Sequence, residues 1–309
     1  MNNAVNIRAA QRGEMTVRPR YDSANIRTWV GFKQFMCLVE EAVLQWFRDS
    51  GLGPGTLFHD YGLGLEIVDS SVLLPAVLDI DDQVTAEVSE RGSGRFQVRL
   101  TASRGGTDVL VARATVTVAL VRERGRAVLA PPPDLVELVV GGIGPPEYAA
   151  QQVVSPGTEV RRALGIGPTG FLWSWRVPYF YCHYSDRLQH SGYVRALEDV
   201  VDRFLDSRGI SVGRMLADRG WIPVVSKARV HMLADVHMEE TVHTTFTVEE
   251  ILRGISHRGR MDCYVERDAT MVHTATAGIL HGYAIVDGPG AGTLAEFDPP
   301  TIAALLGDR

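Results

Sequence analysis

The sequence lacks the features that mark several common classes of protein. Its 309 residues include only three cysteines, Cys37, Cys182 and Cys263, which lie far apart and exclude a disulfide framework or a thiolate metal site. Lys and Arg form no cluster and the net charge is −6, so the basic surface that nucleic acid requires is missing. No apolar run approaches the roughly 18 residues that span a bilayer, and the chain starts without an apolar segment. We therefore expect a soluble protein of the reducing cytoplasm, not exported, with neither nucleic acid nor a membrane as partner.

Two segments have the spacing of long, mostly buried helices. From Gln34 to Asp49 the residues are apolar almost all round, interrupted by Glu40 and Glu41, which predicts a helix enclosed on most sides. Apolar residues recur at the same spacing from Val194 onward. A glycine follows each segment, which is typical of a helix end.

The two helical segments belong to a long internal repeat. Five pairs of identical residues are each separated by 158 positions: Glu40 and Glu198, Gly51 and Gly209, Asp60 and Asp218, Gly62 and Gly220, Ala76 and Ala234. A repeat this long indicates two copies of a domain, because solenoid repeats run to only about 20–50 residues. We therefore divide the chain into an N-terminal domain, 1–125, a linker rich in proline and glycine, 126–168, and a C-terminal domain with its tail, 169–309.

Each copy continues from its helix into long strands. In residues 109–121 one face carries Leu110, Ala112, Ala114, Val116, Val118 and Leu120, while Arg and Thr lie on the other face. This period of two is typical of an antiparallel strand covered on one side. The second copy has corresponding strands, so the sequence predicts an α+β fold with a helix packed on a curved sheet in each half.

This layout resembles the hotdog-fold acyl thioesterase superfamily, and more closely its double-hotdog members, in which one chain carries two copies. The resemblance covers roughly residues 18–122 and 170–287. In "DRLQHSGY", Asp186, Leu188 and His190 are similar to the D-x-N-x-H stretch ahead of the helix, with Leu188 where Asn is usual. In the first half Asn25 stands where the hydroxybenzoyl-CoA branch keeps a catalytic Asp. The resemblance implies a tandem hotdog, each copy a long central helix wrapped by an antiparallel sheet.

The same resemblance implies where thioester chemistry would take place. Such enzymes polarise the thioester carbonyl with a backbone N–H at the start of the central helix, where amide hydrogens and the helix dipole favour negative charge. The residues near that position are Gly31 and Phe32 in one half, and Gly192 and Tyr193 in the other. Water activation then calls for an imidazole or carboxylate. His59, expected in the loop after the helix, Asn25, and the pair Asp186 and His190 are the candidates.

Each candidate also has a structural interpretation. A histidine in a loop is more often a surface residue, Asp186 could cap the following turn, and Asn25 could hold a turn. Glu40 and Glu198 repeat inside apolar helices, where we expect mainly a structural role. His231, His237 and His243 would share a strand face only if the strand ran unbroken, and "LADVHMEE" indicates a turn there. We therefore expect no metal site.

Several functions remain open at this stage. The leading one is hydrolysis of an acyl thioester of coenzyme A or an acyl carrier protein, with no cofactor apart from that carrier. A second follows from a resemblance to thioesterase-like double-hotdog enzymes of macrolactam polyketide pathways, which add an amine such as glycine to a 2-enoyl thioester and then hydrolyse it to a β-amino acid. A hydratase or dehydratase and a non-catalytic acyl-binding protein are further alternatives. Double hotdogs often pair through sheet edges, so a homo-oligomer is also expected.

Overall fold

The computed structural model describes residues 13–124, 129–144, 152–153, 159–167, 169–184 and 186–307. The chain divides into two compact units, Met1–Ile143 with Tyr179–Ser191, and Gly144–Pro178 with Gly192–Arg309. The short segment Tyr179–Ser191, which the division by sequence assigns to the C-terminal domain, therefore belongs to the first unit. This segment carries Asp186 and His190.

The described residues form six α-helices and fourteen strands. The helices are α1 (Phe32–Asp49), α2 (Pro54–Tyr61), α3 (Val160–Ala163), α4 (His190–Ser207), α5 (Val212–Arg219) and α6 (Pro299–Leu306). The strands are β1 (Gly13–Val17), β2 (Leu63–Leu73), β3 (Gln83–Gly92), β4 (Arg95–Arg104), β5 (Thr107–Arg122), β6 (Val139–Val140), β7 (Gln152–Val153), β8 (Phe171–Arg176), β9 (Cys182–His183), β10 (Arg187–Leu188), β11 (Trp221–Met232), β12 (Thr241–Leu252), β13 (Ser256–Arg267) and β14 (Thr270–Ile285). None of these helices is long and apolar enough to span a membrane.

The first unit packs α1 on an antiparallel sheet with the order β1-β3-β4-β5-β2. The rings of Trp46 and Phe47 on α1 meet that of Phe96 on β4, with centroids 5.0–5.7 Å apart. Such aromatic contacts add to the stabilisation that comes from burying apolar area. The core of this unit therefore lies between the helix and the sheet.

Helix and strand patterning are confirmed in the first unit. Only Glu41, Arg48 and Asp49 are exposed on α1, which begins two residues before the predicted Gln34. On β5, Ala112, Ala114, Val116, Val118 and Leu120 are buried, as the alternation predicts. Burial on one face fixes the strand register, because a slip of one residue would turn this face to solvent.

The second unit repeats the arrangement with its own residues. Its sheet has the order β11-β14-β13-β12-β8, and α4 has the same 18-residue length as α1. Phe204 on α4 packs against Phe171 and Phe246, with ring centroids 5.9 and 5.0 Å away. Phe204 corresponds to Trp46 of the first unit in the 158-residue repeat. The aromatic core is therefore repeated as well.

Candidate active site

A bulge in strand β2 decides which of its side chains face the core of the first unit. The register against β5 shifts between Ile67 and Asp69, so Val68 is an extra residue. Beyond the bulge Ser70 pairs with Val116, on the face where Ile67 pairs with the buried Val118. Bulges commonly redirect side chains next to active sites. Here the bulge turns the hydroxyl of Ser70 inward.

The buried hydroxyl of Ser70 meets a buried histidine. The Nε2 atom of His190, the first residue of α4, lies 2.8 Å from Ser70 Oγ, and both residues are only 3% exposed. On the other side of the ring, Nδ1 lies 3.9 Å from Oε2 of Glu40 on α1, within range of charge attraction but beyond hydrogen-bond length, and Nδ1 has no hydrogen-bond partner among the described residues. The Glu40 side chain is 25% exposed. Serine, histidine and glutamate are therefore in series, from a buried hydroxyl to a half-buried carboxylate.

The order of these groups favours one tautomer of the imidazole. A carboxylate can only accept hydrogen bonds, so its negative charge favours the proton on Nδ1, the ring nitrogen that faces Glu40. Nε2 then carries the lone pair and accepts the hydrogen bond that the Ser70 hydroxyl donates. A serine hydroxyl that donates to an imidazole is the pairing that activates serine for acyl transfer, and here the charge of Glu40 lies on the far side of that imidazole.

A second buried polar cluster lies on the other face of β2. Glu66 accepts hydrogen bonds from Nε2 of His183, which lies 2.8 Å from each carboxylate oxygen, and from Arg187, 3.3 Å away. Arg187 also forms an ion pair with Glu123. The carboxylates of Glu66 and Glu123 are each 1% exposed. Buried charges require partners of opposite sign, so this cluster holds the segment Tyr179–Ser191 in the first unit.

Glycine at position 64 makes room for this cluster. A Cβ atom on Gly64 would lie 2.9 Å from a guanidinium nitrogen of Arg187, 2.9 Å from Cδ2 of Tyr184, and against the Glu123 carboxylate. Burial, with a contribution from Glu66, raises the pKa of the Tyr184 hydroxyl well above its ordinary range. Tyr184 therefore stays neutral as it packs beside His183, whose ring centroid is 4.3 Å away.

Asn25 and Gly31 lie together at the start of α1, where the resemblance places the carbonyl site. A Cβ atom on Gly31 would lie 3.0 Å from the side-chain Cγ of Asn25 and would overlap its amide nitrogen. Gly31 is the N-cap of α1, and its own N–H donates to the carbonyl of Ser23 at 3.2 Å. Phe32, the first helical residue, is buried. Asn25 is therefore placed beside the first turn of α1, whose amide groups point toward the helix start.

The predicted loop around His59 is wrong, because the residue lies on helix α2. Pro54 occupies the first turn of this helix, where its missing N–H costs nothing, and Gly62 ends it in the left-handed conformation at φ 61°. His59 is exposed and packs edge-on against Phe58, with ring centroids 5.3 Å apart. The structure therefore brings His190, but not His59, into the buried polar site.

Asp186 lies in the turn between β9 and β10, four residues before His190. The hairpin pairs Cys182 with Leu188, and Asp186 is half-buried. Burial and the charge of Asp186 raise the pKa of the Cys182 thiol to about 11. Because the thiolate is the reactive form of cysteine, Cys182 is a poor nucleophile near neutral pH.

The remaining candidate residues belong to the second unit. Gly192 and Tyr193 lie in the first turn of α4, and both are buried. Burial raises the pKa of the Tyr193 hydroxyl well above its ordinary range. The turn predicted between Met232, where β11 ends, and Thr241, where β12 begins, is confirmed. His231, His237 and His243 consequently do not share one strand.

Sequence reasoning missed five residues of the two buried clusters: Glu66, Ser70, Glu123, His183 and Arg187. Their contacts join positions 64–121 residues apart, which no local pattern encodes. One indication was present in "LGLEIVDSSVL", where a glutamate interrupts an otherwise apolar stretch of β2. A buried charge in a strand requires a partner of opposite charge. The glutamate therefore indicates that a basic residue from another segment lies against β2.

Comparison with known proteins bears on the fold. No protein-family model matches the chain, and no curated protein sequence matches it. Among solved structures, the 12:0-ACP thioesterase from Umbellularia californica is similar, with a TM-score of 0.59 at 11% identity over 88% of this chain and 94% of that one. An acyl-ACP thioesterase from Bacteroides thetaiotaomicron gives 0.54 at 9% identity over 88% and 98%.

A protein from Lactobacillus plantarum described as an oleoyl thioesterase gives a TM-score of 0.57 at 13% identity, over 88% of this chain and 96% of that one. The predicted fold is confirmed: the chain is an α+β double hotdog. At these identities the likeness concerns the fold alone, and chemistry has to be argued from the residues described above.

Proposed function

We propose that the protein hydrolyses an acyl thioester of coenzyme A or an acyl carrier protein, at a site in its first unit. The observation that carries this proposal is the 2.8 Å contact between His190 Nε2 and Ser70 Oγ, with Glu40 on the far side of the ring. The similarity in fold to acyl-ACP thioesterases supports the substrate class. Ser70, His190 and Glu40, which we call the relay, form a buried polar arrangement of the kind that acyl transfer requires.

Thioester hydrolysis needs three events, and the first unit has a group for each. The carbonyl must be polarised, for which the amide hydrogens at the start of a helix are suitable: those of His190 and Ser191 begin α4 at the histidine itself, and those at the start of α1, with Asn25 beside Gly31, are the alternative. A proton must be taken from the attacking oxygen and later delivered to the sulfur, which His190 can do through Nε2. Bulk water must be kept away from the reacting atoms, apart from the one molecule that takes part in the hydrolysis. Ser70 and His190 are nearly inaccessible to solvent. These steps require no cofactor beyond the carrier of the acyl group.

Addition of an amine such as glycine to a 2-enoyl thioester, followed by hydrolysis to a β-amino acid as in macrolactam polyketide pathways, is the second candidate. The observation that favours it is Asn25 at the start of α1. An amide side chain cannot act as the nucleophile that an aspartate provides there, but it can hold a carbonyl or an amine through hydrogen bonds. A hydratase or dehydratase and an acyl-binding role, like a cytoplasmic location and a homo-oligomer, stay predictions.

Thiol release separates these functions. Purified protein is given saturated and 2-enoyl thioesters of coenzyme A and of acyl carrier protein, with and without glycine, and the products are weighed by mass spectrometry. Hydrolysis predicts thiol and the unmodified acid from saturated substrates without glycine. Product heavier by one glycine, only from 2-enoyl substrates, supports the addition. A change in enoyl absorbance without thiol would indicate a hydratase, and binding without any product would overturn catalysis.

A further inference from the structure

The hydroxyl of Ser70 faces the imidazole of His190, not a backbone carbonyl. Ser70 lies on the core side of β2 because of the bulge at Val68, whereas its neighbour Ser71 lies on the opposite face. A serine that only satisfied its own hydrogen bond could do so with a backbone carbonyl, as Ser50 does with Trp46. Ser70 instead contacts an imidazole at 2.8 Å, and that imidazole has a carboxylate behind it.

We propose that Ser70 is the nucleophile of the reaction and carries the acyl group as an ester on its Oγ atom. This inference rests on the proposed thioester hydrolysis and assigns its covalent step. Serine is a weak nucleophile at its ordinary pKa and needs an adjacent base, which His190 supplies. The negative charge of Glu40, 3.9 Å from Nδ1, favours the proton on that nitrogen, so that Nε2 faces the hydroxyl with its lone pair. Cys182, the cysteine of the segment Tyr179–Ser191, is held as a thiol by its raised pKa.

The atoms balance without an added reagent. The hydroxyl proton of Ser70 passes to His190 Nε2 as Oγ bonds to the thioester carbonyl carbon. The carbon–sulfur bond then breaks, and the proton on Nε2 passes to the leaving sulfur, which departs as the thiol. A water molecule next gives its proton to Nε2 and attacks the ester carbon, and Ser70 Oγ leaves and regains a proton. The products are a carboxylic acid and a thiol.

The position of the relay along the fold agrees with this role. His190 begins α4, so the amide groups of His190 and Ser191 are among those that have no partner within the helix. Such amides stabilise an oxyanion. Ser70 is 3% exposed, so acylation requires the side chains around it to move aside as the acyl chain enters. The ion pairs of Arg187 hold the segment that carries His190 in place meanwhile.

The test is to trap the acyl-enzyme and to map it. Wild-type protein is mixed with octanoyl-CoA, quenched in acid within the first turnover and analysed by intact mass and peptide mapping. We expect a mass increase of one octanoyl group, located on the peptide that contains Ser70. Ser70→Ala should lose the adduct and at least a hundredfold in thiol release, since removal of a nucleophile commonly costs more than that. Ser71→Ala is the matched control, which should keep both.

A second measurement distinguishes other nucleophiles. Turnover in water enriched in oxygen-18 places the heavy oxygen only in the product acid if Ser70 is acylated. A carboxylate nucleophile would form a mixed anhydride, and water that attacks the side-chain carbonyl of this anhydride leaves oxygen-18 in the carboxylate, so label in the Glu40 peptide overturns the proposal. So does a Ser70→Ala variant that is folded, by circular dichroism and melting temperature, and releases thiol within threefold of wild type. Thiol release by wild type without an acylated Ser70 sinks this inference alone, whereas no release from any thioester removes the proposed function with it.

Discussion

His190 Nε2 lies 2.8 Å from the hydroxyl oxygen of Ser70, although 120 positions separate the two residues in the chain. The contact exists because Tyr179–Ser191, which includes the first two residues of α4, belongs to the first unit. Two polar clusters depend on this short segment. One contains the candidate catalytic residues, and the other, around Arg187, holds the segment to strand β2.

The Arg187 cluster is the first target for a stability measurement. Arg187→Met leaves the carboxylates of Glu66 and Glu123 buried without their guanidinium partner. Breaking a buried ion pair in this way typically costs about 3–5 kcal/mol of unfolding free energy. Arg258→Met is the control, because its pair with Glu250 is exposed and should contribute less than about 1 kcal/mol. Equal denaturant midpoints for the two variants would contradict the structural role of Arg187.

Glycine at position 31 provides a test of the helix start. Gly31→Ala places a methyl group against the side chain of Asn25, so Asn25 must shift from its position beside α1. We expect thiol release to fall about tenfold, since small displacements in an active site carry costs of this order or more. Gly55→Ala on α2 meets no neighbouring atom and is the control. If both variants keep the wild-type rate, Asn25 and Gly31 have no part in the reaction.

The carboxylate behind the histidine should matter for rate rather than for binding. Glu40→Gln keeps the shape of the side chain but removes the charge that orients the imidazole of His190. We expect kcat to fall about tenfold to a hundredfold with little change in KM, because the loss concerns proton transfer. Glu41→Gln is the matched control, since Glu41 is exposed and pairs with Arg48. A change confined to KM would argue against the relay.

Much of the fold was predictable from the sequence, whereas the site was predictable only in part. The burial of α1 and the alternation of β5 follow from periodicity, which reports local geometry. His190 was identified through its resemblance to a motif, but Ser70 became its partner only through the bulge and a long-range contact. The sequence predicts a loop around His59, whereas Pro54 and Gly62 in fact mark the ends of a short helix there. Side-chain partners that lie far apart in the chain leave no periodic pattern.

Stability should depend on pH through two histidines of the second unit. Burial lowers the pKa of His257 to about 4. Burial also lowers the pKa of His281, and the charge of the neighbouring His257 lowers it further. Their ring centroids are 4.9 Å apart, and their ring nitrogens have no hydrogen-bond partner among the described residues. The unfolded chain, with an ordinary histidine pKa near 6.5, therefore binds protons at a higher pH than the folded chain. Stability is complete above about pH 6.5 and decreases as the pH falls toward 4.

For His257 alone this difference corresponds to about 3 kcal/mol, at one pKa unit per about 1.4 kcal/mol. Because pH 5 lies above the folded pKa of His257, urea unfolding of wild type at pH 7.5 and pH 5 should show roughly 2 kcal/mol of this loss. His257→Leu should reduce the difference in unfolding free energy between the two pH values. His59→Leu is the control, because His59 is exposed. If wild type is equally stable at both pH values, the two rings are not buried in neutral form.

The most direct test of the central claim is the rate of thiol release by His190→Ala, measured beside His59→Ala on the best thioester substrate of the wild type. Removal of a general base commonly lowers the rate by about 10²–10⁴. We expect a loss in that range for His190→Ala and a rate within about threefold of wild type for the exposed His59→Ala. Wild-type activity in a folded His190→Ala variant, with activity lost in His59→Ala, would contradict the site described in the first unit.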